Sequence, residues 1–333
     1  MAPPAEEGII SGMKPDSAIE IVRRLREKGH EAYLVGGCVR DMVMNVEPSD
    51  YDIATSALPE EVMRIFPHTE AIGVQFGVVL VIHRGHPFEV ATFRSDDAYI
   101  DGRRPTGVVF TDAQTDVLRR DFTINGLLYD PAQDRVIDYV SGQEDIRNRV
   151  VRAIGDPHKR FTEDKLRILR AVRFAARFDY SIDPATWDAV RRMAPQIGQV
   201  SVERISTELH RVLTEGQAAR GFQLLHGSGL LKEILPEVQW SDHLSLSLAA
   251  ISSGAMPDFA LGVLLHEAPS QDVRNIVSRL KLSKAEMQHV LSLRESLPRF
   301  RELRSAPISV LKRFLRLPRF EDHLELARIC AVA

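Results

Sequence analysis

The sequence predicts an α+β protein, with a mixed-sheet head over residues 1–155 followed by a helical neck over 156–215 and a helical body over 216–333. Three observations carry this. Up to about residue 150, short apolar runs rich in β-branched residues are cut by glycine and proline. From about Asp156 onward, apolar residues recur at the helical period instead: Ile168, Leu169, Ala171, Val172, Ala175 and Ala176 share one side, with Arg167, Arg170, Arg173 and Arg177 on the other. Finally, 333 residues with 44% hydrophobic and 27% charged side chains suit a globular chain long enough for two or three cores.

Taken in order, residues 1–12 read as a disordered lead. Asp16 or Ser17 then caps a helix running to about Lys28, with Ile19, Ile21, Val22 and Leu25 at helical spacing. Tyr33 to Val35 is a strand ended by Gly36-Gly37, and Cys38 to Val46 is a short helix presented by that turn. Tyr51 to Ala54 is a second strand, and Pro59 opens a helix that ends near Phe66. The runs at 76–84 and 87–94, separated by Gly85, make a hairpin. Ser95 to Leu118 is polar, broken by Gly102, Pro105 and Gly107, and reads as a long mobile loop. Arg119 to Tyr129 returns to helix, and the run at 135–140 is a strand. Further helices are expected near 185–193, 202–214, 218–226, 259–266, 271–280 and 284–297. The chain stops in an apolar run that reads as the middle of a helix, so a cut is expected there.

The chemistry concentrates between residues 33 and 55. Alternation along a strand puts Asp50 and Asp52 on one face, where two carboxylates repel each other unless a cation lies between them. Hard divalent ions such as Mg²⁺ take carboxylates together with substrate phosphates, so both are expected metal ligands, and Glu89 on the hairpin is the candidate third carboxylate. A Gly-Gly turn allows close backbone approach to a phosphate, so Gly36, Gly37 and the guanidinium of Arg40 are expected to hold one. Asp41 reads as a structural partner for an arginine or the backbone. Phosphate cradle and metal carboxylates together imply phosphoryl or nucleotidyl transfer. Arg120, beside Asp121 and Asn125 spaced four apart, suits a phosphate and a ribose hydroxyl. Asp164 and Arg167, three apart, are expected to lie together on one helix face, where an acceptor beside a donor offers an edge to a base. Arg170 and Arg173 would reach its phosphates.

The stretches GGCVRD and SDYDIAT, then RRDFTINGLLYDP, then RFTEDKLRILRAVRFAARF, occur in that order. They resemble the motifs of the class II tRNA nucleotidyltransferases and bacterial poly(A) polymerases over roughly the first half of the chain. The resemblance implies a nucleotidyltransferase-type head and addition of CCA, or its terminal A, to tRNA 3′ ends from CTP and ATP with Mg²⁺. It also implies that Arg120 touches the nucleotide and that Asp164 and Arg167 pair with the incoming base in place of a template. Glu203, Arg204 and Glu208 fall in a motif that braces the neck. Some relatives carry a His-Asp metal phosphohydrolase domain; here the pair is His266-Glu267, and His266 reads as an ordinary helix residue. Enzymes that add only CC have a shortened loop before the RRD motif, whereas this loop keeps DGRRP, which favours an enzyme able to add A. The GRRF signature of the poly(A) polymerases is not found.

The bulk numbers constrain this further. With 43 Lys and Arg against 46 Asp and Glu, no global basic field points to a nucleic acid, though a local basic face is enough to bind one. Two distant cysteines, Cys38 and Cys330, show no metal-ligand spacing, and no signal peptide or membrane-length apolar run is present, so a cytoplasmic monomer or homodimer is expected. A partial enzyme adding only A or CC, or a poly(A) polymerase, is an alternative, as is a small-molecule nucleotidyltransferase. A catalytically inactive RNA-binding relative is disfavoured by Asp50, Asp52 and Arg40.

Overall fold

The computed structural model describes residues 13–96, 108–303 and 306–332. It divides into two compact units, Met1–Asp164 and Lys165–Ala333, so residues 156–164 of the expected neck fall within the first.

The first unit is built on a seven-stranded mixed sheet. Its strands are β1 (Ala32–Val35), β2 (Asp52–Thr55), β3 (Thr69–Glu70), β4 (Val78–His83), β5 (His86–Thr92), β8 (Leu127–Asp130) and β9 (Arg135–Asp138), in the order β3-β4-β5-β2-β1-β8-β9. Only β2 and β5 run parallel, with Ile53 opposite Val90 and Ala54 opposite Ala91. Arg84 (φ 49°) and Gly85 (φ 79°) join β4 to β5, and left-handed backbone at both turn residues matches the twist of a two-residue hairpin. Helix α1 (Met13–Glu27) begins before either expected cap and buries Ala18, Ile21, Val22 and Leu25. Helix α2 (Gly37–Val43) follows β1, and α3 (Pro59–Ile65) starts on its proline as expected.

Three expectations are corrected here. Ser95 to Leu118 is not all loop: Arg94–Asp96 (β6) pairs with Val108–Phe110 (β7), and Ala113–Leu118 forms α4, capped by the Asp112 side chain on Thr115 N–H at 2.8 Å. The rest of that loop, with DGRRP, lies outside the described residues, as does the lead at 1–12. Arg119 to Tyr129 is not a helix. A single 3₁₀ turn at Thr123–Asn125 leads into β8, because Leu127, Leu128 and Tyr129 are buried in the sheet and flanked by Gly126 and a turn. Ala113 and Val117 of α4 pack with Val35, Ala54, Phe93 and Leu128, so α4 covers one face of the sheet.

The third correction concerns the helix carrying Asp164 and Arg167. It is two helices, α6 (Pro157–Glu163) and α7 (Leu166–Phe178), and Asp164 breaks them apart with extended backbone at φ −143°, ψ 105°. The two residues therefore do not share a helix face.

Apart from a two-residue strand at Ser181–Ile182, the described part of the second unit is helical. Helix α5 (Gly142–Arg147) belongs to the first unit. The second continues from α7 through α8 (Pro184–Met193), α9 (Val202–Thr214), α10 (Ala218–Ser228), α11 (Leu230–Ile234), α12 (Asp242–Ala249), α13 (Pro257–Leu264), α14 (Ser270–Arg279), α15 (Lys284–Ser296), α16 (Ile308–Phe314) and α17 (Phe320–Val332). Local signals set several of their ends. Asp183 caps α8, and Ser283 with Glu286 forms a reciprocal capping box on α15. Phe259, Val263, Leu293, Leu326 and Ile329 form the core that α13, α15 and α17 share. No helix among the described residues is long and apolar enough to cross a membrane.

Candidate active site at the end of the parallel strand pair

Asp52 opens β2, and the register places it opposite Val35 of β1. Continuing the parallel register from Ile53–Val90 sets Asp52 beside Glu89, and paired positions point to the same face. The two strands thus deliver two carboxylates to the face that α4 covers, with Asp50 two residues upstream; Asp50, Asp52 and Glu89 are all solvent-exposed. Protein atoms crowd the Asp52 carboxylate although it remains open to solvent. That loss of water, together with the charges of Glu89 and Asp50 and against the pull of Arg120, pushes its pKa up to about 6. A carboxylate raised by its own neighbours is a donor set that lacks positive charge, and a divalent cation is what would relieve it. Glu89, the expected third carboxylate, thus lies close enough to Asp52 to raise it.

Above the carboxylates, β1 ends in Gly36, whose N–H donates to Leu127 O at 3.1 Å. Gly36 sits at φ 76°, ψ −127°, backbone that side chains rarely adopt, and a Cβ there would come within 3.1 Å of Arg120 Nη1. The glycine is what lets this guanidinium lie against the turn. Asp116 aims it, taking the Arg120 Nε at 3.2 Å and Nη2 at 2.9 Å with one oxygen while its other oxygen binds Arg119 Nη2 at 2.7 Å. Burial works to raise the Asp116 carboxyl, but Arg120 and Arg119 outweigh it and hold the group below its ordinary value. Asp116 was not among the expected site residues. It stands four residues before Arg120 on what looked like a loop, and the i, i+4 acid–base spacing was the available signal.

Arg40 is corrected. It is 4% exposed, so it is not a fork presented to solvent. Its Nε and Nη2 are taken by Asp41 Oδ1 at 2.8 and 2.6 Å, and its Nη1 donates to Asn125 Oδ1 at 2.6 Å. Asp41 is the structural partner expected. Asn125 Nδ2 in turn donates to Asp121 Oδ1 at 3.1 Å, which also accepts the Phe122 N–H at 2.8 Å. Asp121 and Asn125 do meet, through a turn rather than a helix, and they tie Arg40 in place as a buried positive charge under Gly36-Gly37. Behind the same turn lies Cys38, whose thiol donates to Val35 O at 3.2 Å; burial foremost, then the Asp52 charge, pushes it up to about 12.

In the second unit, Arg167 is buried and Arg170 half-buried on α7. Arg173 is 3% exposed, with Nε 2.7 Å from Glu208 Oε2 and Nη1 3.2 Å from Glu215 Oε2, while Arg170 Nη1 lies 3.8 Å from Glu208 Oε1. Arg173 is thereby corrected from a phosphate contact to a strut joining α7 to α9, and Glu208 has the bracing part expected of it.

A family profile described as "Poly A polymerase head domain" matches residues 32–152, and one described as "Probable RNA and SrmB- binding site of polymerase A" matches residues 179–241. The CCA-adding enzyme of Geobacillus sp. (strain WCH70) is 45% identical over 214 residues, 64% of this chain and 53% of that protein. That of Streptococcus sanguinis (strain SK36) is 37% identical over 80% of this chain and 67% of its own length. The crystal structure of the Bacillus stearothermophilus CCA-adding enzyme in complex with CTP superposes with a TM-score of 0.78 at 33% identity, covering 96% of this chain and 83% of that one. The match spans about half the length of several of the curated relatives it matches.

Proposed function

The chain belongs to the CCA-adding enzyme family, and on that premise we propose that it is a template-independent tRNA nucleotidyltransferase adding CCA, or its terminal A, to tRNA 3′ ends from CTP and ATP. The observation that carries the proposal is the closeness of the Asp52 and Glu89 carboxylates at the end of the parallel strand pair, beside a glycine turn against which the Arg120 guanidinium lies. One acidic and one basic half, meeting at a strand end, suit a metal-bound triphosphate.

In this reading Asp50, Asp52 and Glu89 hold divalent metal, Mg²⁺ first. The donor set fits: three oxygen ligands of one sign, one of them raised to about 6 by the others and by burial. Bound there, the metal would activate the attacking 3′-hydroxyl and steady the triphosphate. Gly36, its own N–H taken by Leu127 O, shapes the turn so that Gly37 presents its backbone N–H to the phosphates, with Arg120, aimed by Asp116, as their counter-charge. Arg40, Asp121 and Asn125 hold that turn rigid from beneath. Asp164, at the break between α6 and α7, and Arg167 read the base, and Arg170 supports the phosphates. A tRNA substrate would fit a cytoplasmic enzyme.

The test uses tRNAs ending at the discriminator base, at C and at CC, each incubated with CTP and ATP separately and together. CCA addition predicts CTP incorporation on the first two and ATP incorporation on the third. ATP incorporation on the CC-ended tRNA alone would identify an A-adding enzyme, and extension by CTP alone a CC-adding one. No extension of any tRNA by wild-type protein with Mg²⁺ would overturn the proposal.

A further inference from the structure

We propose that Arg160 is a positioning residue of the nucleotide site, which keeps the phosphate arginine Arg120 in register with the base-reading Asp164. The proposal rests on the assignment of those two residues to the nucleotide made above.

Arg160 lies half-buried on α6, and its side chain reaches back out of the helix. Its Nε donates to Ile154 O at 3.1 Å and its Nη1 to Arg119 O at 3.3 Å. Nη1 also donates to Glu163 Oε2 at 2.9 Å, one turn on, and this ion pair steadies the guanidinium. The two carbonyls belong to the two arms of a short antiparallel pairing. Thr123 N–H donates to Arg152 O at 2.9 Å, Ile154 N–H donates to Asp121 O at 3.1 Å, and Phe122 bridges Ala153 between them. Arg160 clips these arms together. A planar guanidinium suits the task, because its N–H groups form a fixed fork that can meet two carbonyls at once.

What lies at each end of the clip gives it a use. Arg119 is held twice, its carbonyl by Arg160 and its side chain by Asp116, the same carboxylate that aims Arg120. The peptide that leads into Arg120 is therefore fixed from two sides. At the other end Asp164 closes α6, its N–H donating to the carbonyl of Arg160 itself at 3.4 Å before the backbone turns extended. The helix between is short but well anchored. Asp156 caps its start, taking the His158 N–H at 2.8 Å, and Phe161 is fully buried. One side chain thus links the two ends through a single helical turn, and all of it lies within the first unit. An ordinary helix clip would account for the bond to Ile154, but it leaves unexplained why the second bond falls on the residue before Arg120.

A nucleoside triphosphate has its phosphates at one end and its base at the other, so a site that reads both must keep its two readers in register. Misplacement by about 1 Å costs on the order of 100-fold in rate. A base held slightly out of place also meets fewer of the hydrogen bonds that reject its competitors.

The test is a double-mutant cycle of Arg160→Gln and Asp164→Ala on a tRNA that the wild-type protein extends. The readout is selectivity, the ratio of kcat/KM for the preferred triphosphate to that for UTP. Inhibition by inorganic tripolyphosphate reports the phosphate end alone. Arg160→Gln should keep the wild-type far-UV circular dichroism and, because Asp116 still aims Arg120, inhibition by tripolyphosphate within about twofold. Its selectivity should fall by about tenfold or more. In the Asp164→Ala background the same change should alter selectivity by less than about twofold, since the reader it positions is already gone. Arg160→Lys, which keeps the charge beside Glu163 without the fork, should show the same pattern at smaller size, and it carries the cycle if the glutamine variant does not fold. Equal loss for all four triphosphates, selectivity losses that multiply in the double variant, or a parallel loss of tripolyphosphate inhibition would make Arg160 a structural clip and overturn the proposal. Failure of the underlying assignment looks different: wild-type protein would add no nucleotide, or Asp164→Ala would keep full selectivity, and either result takes this proposal down with it.

Discussion

Arg40 Nη1 donates to Asn125 Oδ1 at 2.6 Å, across 85 residues of chain, and so ties the glycine turn after β1 to the 3₁₀ turn before β8. Two loops proposed to meet a nucleotide on one side are clamped to each other on the other. Removing the acceptor leaves a guanidinium nitrogen buried and unpaired. We expect Asn125→Ala to destabilise the protein by about 3 kcal/mol and to depress kcat/KM for both CTP and ATP alike. Urea unfolding beside steady-state assays checks this; full stability with unchanged kinetics would refute the clamp.

Asp52 exchanges stability for its chemistry. Its folded pKa of about 6 lies above the unfolded value near 3.8, so the native state holds the proton more tightly between those limits and loses stability as pH rises through them. Metal-free Asp52→Asn should therefore melt like wild type near pH 4 and higher than wild type above pH 6, while nucleotide incorporation is lost. Thermal melts in chelator across that range decide it. Saturating Mg²⁺ should close the gap by stabilising only the wild type.

Glu89→Gln should behave as a partial version of the same change. Removing its charge lowers the Asp52 pKa, because Glu89 is the largest charge raising it. We expect the Mg²⁺ concentration for half-maximal activity to rise at least tenfold, and a Mg²⁺ titration at fixed substrate reads it directly. An unaltered Mg²⁺ requirement would remove Glu89 from the metal site.

The Arg173–Glu208 pair is buried on both sides, so breaking it should cost more than replacing it. Glu208→Ala leaves the Arg173 guanidinium uncompensated and should destabilise by about 3–5 kcal/mol, whereas Arg173→Met with Glu208→Leu should be close to neutral. A double-mutant cycle in urea provides the comparison.

Base choice is the most specific prediction. Asp164 is half-buried at a helix break that no core residue requires. If it reads the incoming base, Asp164→Ala should admit UTP or GTP rather than slow every nucleotide equally, because a hydrogen-bonding site rejects wrong partners by leaving its own groups unpaired. Arg170→Ala should weaken all four alike. kcat/KM for the four triphosphates in both variants gives the answer, and uniform loss in Asp164→Ala would move base reading elsewhere.

The parts of the site legible in the sequence are those that punctuation and period describe. Gly36-Gly37 ended a strand, and alternation put Asp52 on an open edge. Glu89 was found as a carboxylate on a neighbouring β-run, though only the parallel pairing of β2 with β5 brings its charge to bear on Asp52. The errors have a common cause, which is that one spacing serves two structures. Asp121 and Asn125 are four apart because a turn brings them together, not because a helix does. Arg173 lies on the basic side of α7, which the helical period can identify but whose exposure it cannot. Glu208, 35 residues later, is what makes burial of that side tolerable.

Cys38 lies directly behind the Gly36-Gly37 turn, yet its thiol, pushed up to about 12, is almost never a thiolate, and Cys330 is pushed up to about 11. The thiolate is the species that peroxides and alkylating agents attack. On the proposed function, nucleotide addition to tRNA ends should therefore continue through oxidative stress that silences thiol-dependent enzymes, and iodoacetamide should leave it untouched.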